Sequence, residues 1–199
     1  MLSKIENKTN KNSIYLLKTN QKKYIIKKFY KNTQPLEQKL HRLKLCPKLY
    51  CYSKECNIAI FEQIKGNHKT RLKSIDLKNL AKSLKRLHVV KVKTKRENLR
   101  KILPKNFRLK NFKPQITLCH NDLIPTNVLF GQKVNLIDFE FSSLNDKYFD
   151  FASLLIEFKL TKKAQKLFFL HYGIKPNKKK LSYFMKVYKE VCINWGLNC

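Results

Sequence analysis

Four polar side chains in the second half of the sequence have the types and the spacing that phosphoryl transfer requires. His120, Asp122 and Asn127 lie in the stretch HNDLIPTN, and Asp138 ends the apolar run LID. Phosphoryl transfer needs an acceptor for the proton of the attacking hydroxyl, oxygen ligands for Mg²⁺, and a cation on the phosphates. We therefore expect Asp122 to orient or deprotonate the hydroxyl, and Asn127 and Asp138 to hold the metal.

The spacing of these residues is more informative than any one of them. The pattern H-x-D-x-x-x-x-N, followed eleven residues later by an apolar strand that ends in Asp-Phe, is typical of a kinase catalytic loop and its metal-binding partner. Taken singly, Asp122 would be a solvated loop acid and His120 a packed, hydrogen-bonded residue. Taken together, they predict a loop that turns back on itself and brings Asp122 and Asn127 to opposite sides of the transferred phosphate.

The charge of the chain is unevenly distributed. Forty-four Lys and Arg residues against 13 Asp and Glu residues give a net charge of +31, which raises nucleic acid or an anionic membrane surface as partners. Codon bias in an AT-rich genome would also produce many lysines and few glycines. However, residues 122–157 contain six acids and only two bases. Coordination of a hard divalent cation accounts for such a cluster, whereas codon bias does not.

Length and composition limit the class of protein. A chain of 199 residues and 23.8 kDa is one ordinary domain or two small lobes that share a cleft. No apolar run approaches the length of a membrane span, and no apolar stretch follows the charged N-terminus, so we expect a cytoplasmic protein without membrane insertion. The six cysteines include no C-x-x-C pair, and we expect them to be reduced thiols.

Hydrophobic periodicity predicts a strand-rich first part. The predicted elements are strands over 14–19, 23–29 and 57–62 and a helix over 35–45. In the second strand, alternation places Ile25 and Lys27 on one face, where Ile25 can touch an adenine and Lys27 can reach phosphates. Lys28 points the other way and is expected to face solvent.

The second part is predicted to be mainly helical. The predicted helices are 75–88, 149–158, 161–172 and 181–195, and the predicted strands are 116–119, 127–130 and 134–139. Residues 91–113 are basic with weak periodicity, and we expect a solvated helix or linker there. The sequence thus predicts an α+β protein with an N-terminal nucleotide-binding lobe over residues 1–62, a C-terminal catalytic and substrate-binding lobe over residues 63–199, and a cleft between them.

From residue 9 onward, the chain resembles the choline/ethanolamine kinase branch of the aminoglycoside phosphotransferase-like kinases. The segments that carry the resemblance are TNKN at 9–12, YIIK at 24–27, FEQI at 61–64, HNDLIPTNVLF at 120–130, LIDFEFSS at 136–143 and WGL at 195–197. The resemblance implies a two-lobed protein-kinase-like fold, with the active site in the cleft. It also implies ATP and Mg²⁺ as cofactors and a small cationic alcohol, choline or ethanolamine, as the acceptor.

The resemblance further implies roles for individual residues. Asn12 belongs to the family's nucleotide loop, and Lys27 is its phosphate-contacting base, which Glu37 on the next helix would fix in place. Glu62 and Ile64 belong to the hinge, whose backbone pairs with adenine. On the substrate side, the implied residues are Asp122, Glu140, Phe141 and Trp195, with the aromatic rings attracting the ammonium group of the acceptor. A core position for Trp195 is an equally plausible alternative.

Other functions stay open on the sequence. A kinase of the same fold could act on thiamine, an aminoglycoside or another sugar. A third hypothesis is a basic nucleic-acid-binding module or a pseudokinase scaffold. The high positive charge motivates the first of these, and Asn7 and Lys8, which stand where the family commonly has paired glycines, leave room for the second. No recognised nucleic-acid-binding motif is present in the sequence, so we expect no specific nucleic-acid partner. The sequence does not predict the oligomeric state.

Overall fold

One antiparallel sheet forms the first part of the molecule. The computed structural model describes residues 1–5, 12–29 and 36–194. The sheet has the strand order β1-β2-β3-β5-β4 and consists of β1 (Leu2–Ile5), β2 (Ser13–Lys18), β3 (Lys23–Lys28), β4 (Leu49–Ser53) and β5 (Ile58–Glu62). Central strand β3 pairs with β2 and β5, so that Lys27 lies opposite Ile14 and Ala59. This register places Lys27 in the middle of the sheet.

The predicted hairpin and the strand at 57–62 are confirmed as β2, β3 and β5. Within this sheet, two strands, β1 and β4, were not predicted, because LSKI and LYCYS are short and lack a clear alternation of apolar residues. The helix predicted over 35–45 is shorter than expected. Helix α1 (Glu37–Leu40) passes into a single 3-10 turn, His41–Leu43, which ends where Lys44 adopts a left-handed backbone conformation with φ 55°.

The second part is helical, with two short strand pairs inserted. Its helices are α2 (Ser74–His88), α3 (Leu99–Ile102), α4 (Lys147–Glu157), α5 (Lys162–Tyr172) and α6 (Lys178–Asn194). Its strands are β6 (Ile116–Cys119), β7 (Val128–Phe130), β8 (Val134–Leu136) and β9 (Ser143–Asp146). Of the basic stretch 91–113, only α3 is helical. The α+β fold class is confirmed, and the division of the chain at residues 62 and 63 remains our proposal.

Helix α2 illustrates how the sequence forms the core. Its leucines recur every three or four residues, and Leu77, Leu80, Leu84 and Leu87 are all buried. Burial of one such side chain contributes about 1.5–3 kcal/mol relative to leaving it exposed. At the start of the helix, the Asp76 carboxylate accepts a hydrogen bond from the Lys73 amide at 2.9 Å. Helix α2 packs on α5, and α4 packs on α6.

The two strand pairs position the loops that carry the polar motif. Strand β6 pairs with β9, and β7 pairs with β8, both antiparallel. The strand predicted over 134–139 stops at Leu136 because Asp138 adopts a left-handed backbone conformation with φ 65°. Residues Phe139–Phe141 then form a 3-10 turn. The first motif therefore follows β6, and the second lies between β8 and β9, the strand that pairs with β6.

Two expectations from composition can be compared with the structure. No helix within residues 1–5, 12–29 and 36–194 is long and apolar enough to cross a membrane. Cys46, Cys51, Cys56 and Cys119 are free thiols, as expected. Cys192 is disulfide-bonded, so the expectation of reduced thiols is wrong at this residue. The expectation rested on short spacing motifs, which do not report every disulfide.

Candidate active site

The loop after β6 brings Asp122 and Asn127 into direct contact. The Asn127 side-chain amide donates to the Asp122 carboxylate at 2.7 Å and to the Asp122 carbonyl at 3.0 Å. A 3-10 turn, Pro125–Asn127, makes the chain reverse within the predicted four-residue gap. The two side chains therefore face one another directly, and they are closer than the opposite sides of a phosphate would be.

A buried carboxylate anchors this loop from below. Asp150 on α4 is completely buried, and its two oxygens accept hydrogen bonds from the amides of His120 at 2.9 Å and Asn121 at 2.8 Å. One oxygen also lies 3.0 Å from His88 Nε2 at the end of α2. Because a carboxylate can only accept, Nε2 carries the hydrogen, and Nδ1 lies 2.8 Å from the Tyr172 hydroxyl. Three helices thus hold the backbone immediately before Asp122.

His120 connects the loop to the second motif. Its Nε2 donates to the Ile137 carbonyl at 2.9 Å, and its ring contacts Phe139 with centroids 4.6 Å apart. The histidine is completely buried, which agrees with the structural role that we favoured. Asp138 lies between these two contacts, and its positive φ of 65° is unusual for a residue other than glycine. The contacts on both sides hold Asp138 in this conformation.

Lys27 joins the sheet to the second motif. Its ammonium forms ion pairs with Asp138 and, at 3.3 Å, with Glu140. Burial alone would lower the pKa of Lys27. The charges of Asp138 and Glu140 have the larger combined effect, and the pKa of the lysine is therefore raised. The Asn12 side-chain amide also donates to Glu140 at 2.7 Å. Asn12 and Glu140, predicted for nucleotide and for substrate respectively, are therefore in direct contact.

Glu37 does not make the contact that the resemblance implied. The described part of the chain contains no ion pair between Glu37 and Lys27. The Glu37 carboxylate is buried and accepts a hydrogen bond from the Phe139 amide at 3.4 Å. Burial raises the pKa of Glu37, and the nearby charge of Lys27 opposes this effect. The expected contact is replaced because Asp138 and Glu140 take up the ammonium of Lys27.

A cavity of about 430 Å³ separates the sheet from the loops. The predicted site residues that line it are Ile25, Lys27, Glu37, Glu62, Ile64, Asp122, Asn127 and Asp138. Phe141 is 42% exposed and does not line this cavity, although its carbonyl accepts a hydrogen bond from Asn121 at 2.9 Å. Trp195 lies outside the described residues. Most of the predicted nucleotide, metal and hydroxyl residues therefore share one cavity.

Burial also affects the chemistry of Asp122. Loss of solvent raises the pKa of its carboxyl to about 6, and the charges of Asp138 and Glu140 act in the same direction. The charge of His120 and the hydrogen bond from Asn127 oppose the shift. A carboxylate with a raised pKa in a cleft is a candidate general base, because it accepts a proton more readily than a solvated aspartate.

The donor set of the cleft fits a hard divalent cation. Asn127 donates through its nitrogen, and within the described residues its side-chain oxygen makes no hydrogen bond. Asp138 contributes a carboxylate to the same cavity. Oxygen ligands of these types are the ones that Mg²⁺ prefers. Asn127 and Asp138 are therefore the residues that would hold the ion.

Four polar residues near the cleft were not singled out from the sequence. Glu157 was counted only within the acidic segment. Asp150 was also noted beyond the motif at 138–143 as part of the family resemblance, but without a role, and His88 and His68 were not considered. Asp150 could have been recognised as an acid between two phenylalanines in an apolar helix. Glu157, at the end of α4, accepts a hydrogen bond from the Tyr188 hydroxyl at 3.0 Å. Burial raises the pKa of Glu157, and no local sequence signal indicates this environment.

Comparison with known proteins gives the same family over most of the chain. The sequence profile of the choline/ethanolamine kinase family matches residues 21–192. Protein LicA of Haemophilus influenzae is 36% identical over 77 residues, a stretch that spans 38% of this chain and 29% of that protein.

The fold is similar to that of several solved structures. Choline kinase LicA from Streptococcus pneumoniae superposes with a TM-score of 0.79 at 22% identity, covering 98% of this chain and 84% of that one. Spectinomycin phosphotransferase APH(9)-Ia, in complex with ADP and spectinomycin, superposes with a TM-score of 0.77 at 18% identity, covering 98% and 81%. These structures have a protein-kinase-like fold. The profile match over residues 21–192 shows that the chain belongs to the choline/ethanolamine kinase family.

Proposed function

We propose that this protein transfers the γ-phosphoryl group of ATP to the hydroxyl of a small alcohol, choline or ethanolamine, with Mg²⁺ as cofactor. The observation that carries the proposal is the single cavity lined by Lys27, Asp122, Asn127 and Asp138. These are the cation, the base and the oxygen ligands that phosphoryl transfer requires. Family membership supports the reaction type, and the complexes of related structures with AMP and ADP support a nucleotide donor.

Each residue has a defined task in this reaction. Asp122 orients the acceptor hydroxyl and takes its proton as the bond to phosphorus forms. Lys27 contacts the phosphates, where its raised pKa keeps it charged. Asn127 and Asp138 hold Mg²⁺, which neutralises the charge on the phosphate oxygens when it is bound.

The apolar side of the cavity suits a purine base. Ile14, Ile25 and Phe61 line it next to the end of β5. The Ile64 amide has no hydrogen-bond partner within the described residues, so it can donate to the edge of an adenine. These features support the hinge role of residues Glu62 and Ile64, in which the backbone and not the side chains reads the base.

Negative charge near Asp122 supports a cationic acceptor. Glu157 is half-buried, and the described part of the chain offers it no ion pair. Burial raises the pKa of its hydrogen-bond partner Tyr188, and the charges of Glu157 and Asp122 act in the same direction. We propose that the ammonium group of the acceptor binds next to Glu157, with its hydroxyl end toward Asp122. The assignment of Phe141 and Trp195 to this acceptor site remains a proposal.

An ATP-consumption screen tests the proposed acceptor. We expect turnover with choline or ethanolamine and little with thiamine, sugars or aminoglycosides. Glu157→Gln should raise the KM of the acceptor about five- to tenfold without changing that of ATP, because it removes one charge-assisted contact. Glu55→Gln, at an exposed turn, is the matched control. Turnover with an aminoglycoside but not with choline or ethanolamine would show that the protein is an aminoglycoside kinase of the same fold. If no alcohol stimulates ATP use, a pseudokinase scaffold or a binding module is favoured.

Lys27 and its neighbour Lys28 form a natural pair for testing the nucleotide site. Lys27 is buried in the cleft, whereas Lys28 is exposed on the opposite face of the same strand. We expect Lys27→Ala to lower kcat/KM for ATP by about tenfold or more, through loss of a charge-assisted contact with the phosphates. Lys28→Ala should leave it unchanged. Equal effects in a steady-state assay with varied ATP would contradict the assignment.

A further inference from the structure

The segment that follows the sheet is fastened to the β7–β8 hairpin. Asn67 and Phe130 exchange two backbone hydrogen bonds, with the Asn67 amide donating at 2.9 Å and the Phe130 amide donating at 3.0 Å. At Gly131, a Cβ atom would lie 2.6 Å from the carbonyl oxygen of Lys65, so that only glycine fits without a shift. Residues 65–67 therefore lie directly on the hairpin that follows Asn127.

His68 extends this contact to the turn that carries Asn127. Its Nδ1 lies 3.2 Å from the Pro125 carbonyl and 3.1 Å from the Val128 carbonyl. Carbonyl oxygens only accept, so Nδ1 carries a hydrogen in both the neutral and the charged ring. The two carbonyls lie on either side of Thr126 and Asn127. One ring nitrogen thus bonds to both ends of the turn.

Other hydrogen bonds also restrain the turn, including the two that the Asn127 side chain donates to Asp122. It is a single 3-10 turn, in which the Asn127 amide donates to the Ile124 carbonyl at 3.0 Å, and isolated turns of this kind are weak. The Asn127 carbonyl accepts from the Ile137 amide at 3.0 Å. These bonds fix the inner side of the turn. The His68 ring adds the hydrogen bonds to the Pro125 and Val128 carbonyls, which connect the turn to the segment that follows the sheet.

We propose that His68 is a positioning residue, which holds the turn Pro125–Asn127 so that the side-chain oxygen of Asn127 faces the metal. The proposal rests on the proposed function for the role of the metal. In the sequence, His68 comes shortly after Glu62 and Ile64, the hinge residues whose backbone we place beside the nucleotide base. His68, which also lines the cavity, therefore links the base-binding end of the cleft to its metal-binding end through hydrogen bonds to the backbone.

Substitutions that mimic one ring nitrogen or the other give a sharp test. The side-chain nitrogen of Asn occupies nearly the position of His Nδ1, and that of Gln occupies nearly the position of Nε2. We expect His68→Asn to retain the contact and His68→Gln and His68→Ala to lose it. His171→Ala, on the last turn of α5, is the matched histidine control.

The first measurement needs no ligand. In the unliganded protein, hydrogen exchange at the amides of Asn127 and Val128 should be about fivefold faster in His68→Ala and His68→Gln, as expected for loss of one hydrogen bond. It should be unchanged in His68→Asn and His171→Ala. Equal exchange in all variants would overturn the proposal.

The second measurement separates this proposal from the proposed function. The concentration of Mg²⁺ that half-saturates ADP binding should rise about fivefold in His68→Ala and His68→Gln, with ADP affinity in the absence of Mg²⁺ unchanged. If His68→Gln keeps the wild-type Mg²⁺ dependence and His68→Asn does not, Nε2 of His68 contacts the metal or the nucleotide directly. That result would overturn the positioning role. If the wild-type protein shows no Mg²⁺-dependent ADP binding, the proposed function fails and the role toward metal fails with it. The exchange data still decide whether His68 holds the turn.

Discussion

Asp122→Asn is expected to lower kcat at least about 100-fold, because general-base assistance contributes on that scale. Asp138→Asn is expected to have an effect of similar size, through weaker binding of Mg²⁺. A coupled ATP assay at saturating Mg²⁺ measures the first effect, and a Mg²⁺ titration measures the second. Asp122→Asn should not unfold more easily than wild type, because it removes a buried charge that is repelled by Asp138 and Glu140. Asp138→Asn also removes an ion-pair partner of the buried Lys27, so its stability is measured separately by denaturant unfolding. Undiminished turnover in Asp122→Asn would exclude the base role.

The pH dependence of the same reaction provides an independent check. Asp122 must be ionised to accept a proton, and burial raises its pKa to about 6. We therefore expect kcat/KM to rise with pH through about 6 and to be level above that value. The residual activity of Asp122→Asn should lack this acid limb. A wild-type limb near the ordinary pKa of aspartate would mean that another group controls the rate.

Asp150→Ala is expected to lower the free energy of unfolding by about 3–5 kcal/mol, the scale on which loss of one partner destabilises a buried polar network. The change leaves three donors without an acceptor, namely the amides of His120 and Asn121 and the His88 ring. Denaturant unfolding measures the loss. Glu190→Ala, on the partly exposed side of α6, should change the same quantity by less than about 0.5 kcal/mol.

Asp150→Asn keeps this prediction testable if the alanine variant does not fold. The amide retains one acceptor oxygen but places an NH₂ group against a donor, so we expect a smaller loss of stability than for alanine. Turnover should still fall in the folded protein, because the backbone before Asp122 loses one of its two anchors. Wild-type turnover and stability in Asp150→Asn would show that the catalytic loop does not depend on this carboxylate.

The parts of the site that were predicted from the sequence lie close together along the chain. The gap between Asp122 and Asn127 is short, and a turn of the backbone determines their contact. Alternation along β3 likewise placed Lys27 inside and Lys28 outside, as the structure confirms. Such local rules need no knowledge of the tertiary fold.

The residues that were missed act across long distances in sequence. Asp150 meets its partner His88 across 62 residues, and His68 meets Val128 across 60. Within the described residues Glu37 makes no ion pair with Lys27, because Asp138 and Glu140 take up the ammonium, and the sequence alone does not give the positions of these three acids. Strand β9 was missed because its sequence, SLND, is polar, and its pairing with β6 defines it as a strand.

The close packing of Gly131 against Lys65 also sets the range over which the sheet can move. The last strand of the sheet ends at Glu62, and the chain is fastened to the hairpin from Gly66 onward. Only three residues lie between these points, and three extended residues span roughly 10 Å. Strand β5 lies inside the sheet, between β3 and β4, and its end is therefore held to the hairpin by a short tether. A tether of this length on one side of the cleft favours rotation about that side over separation of the sheet from the hairpin.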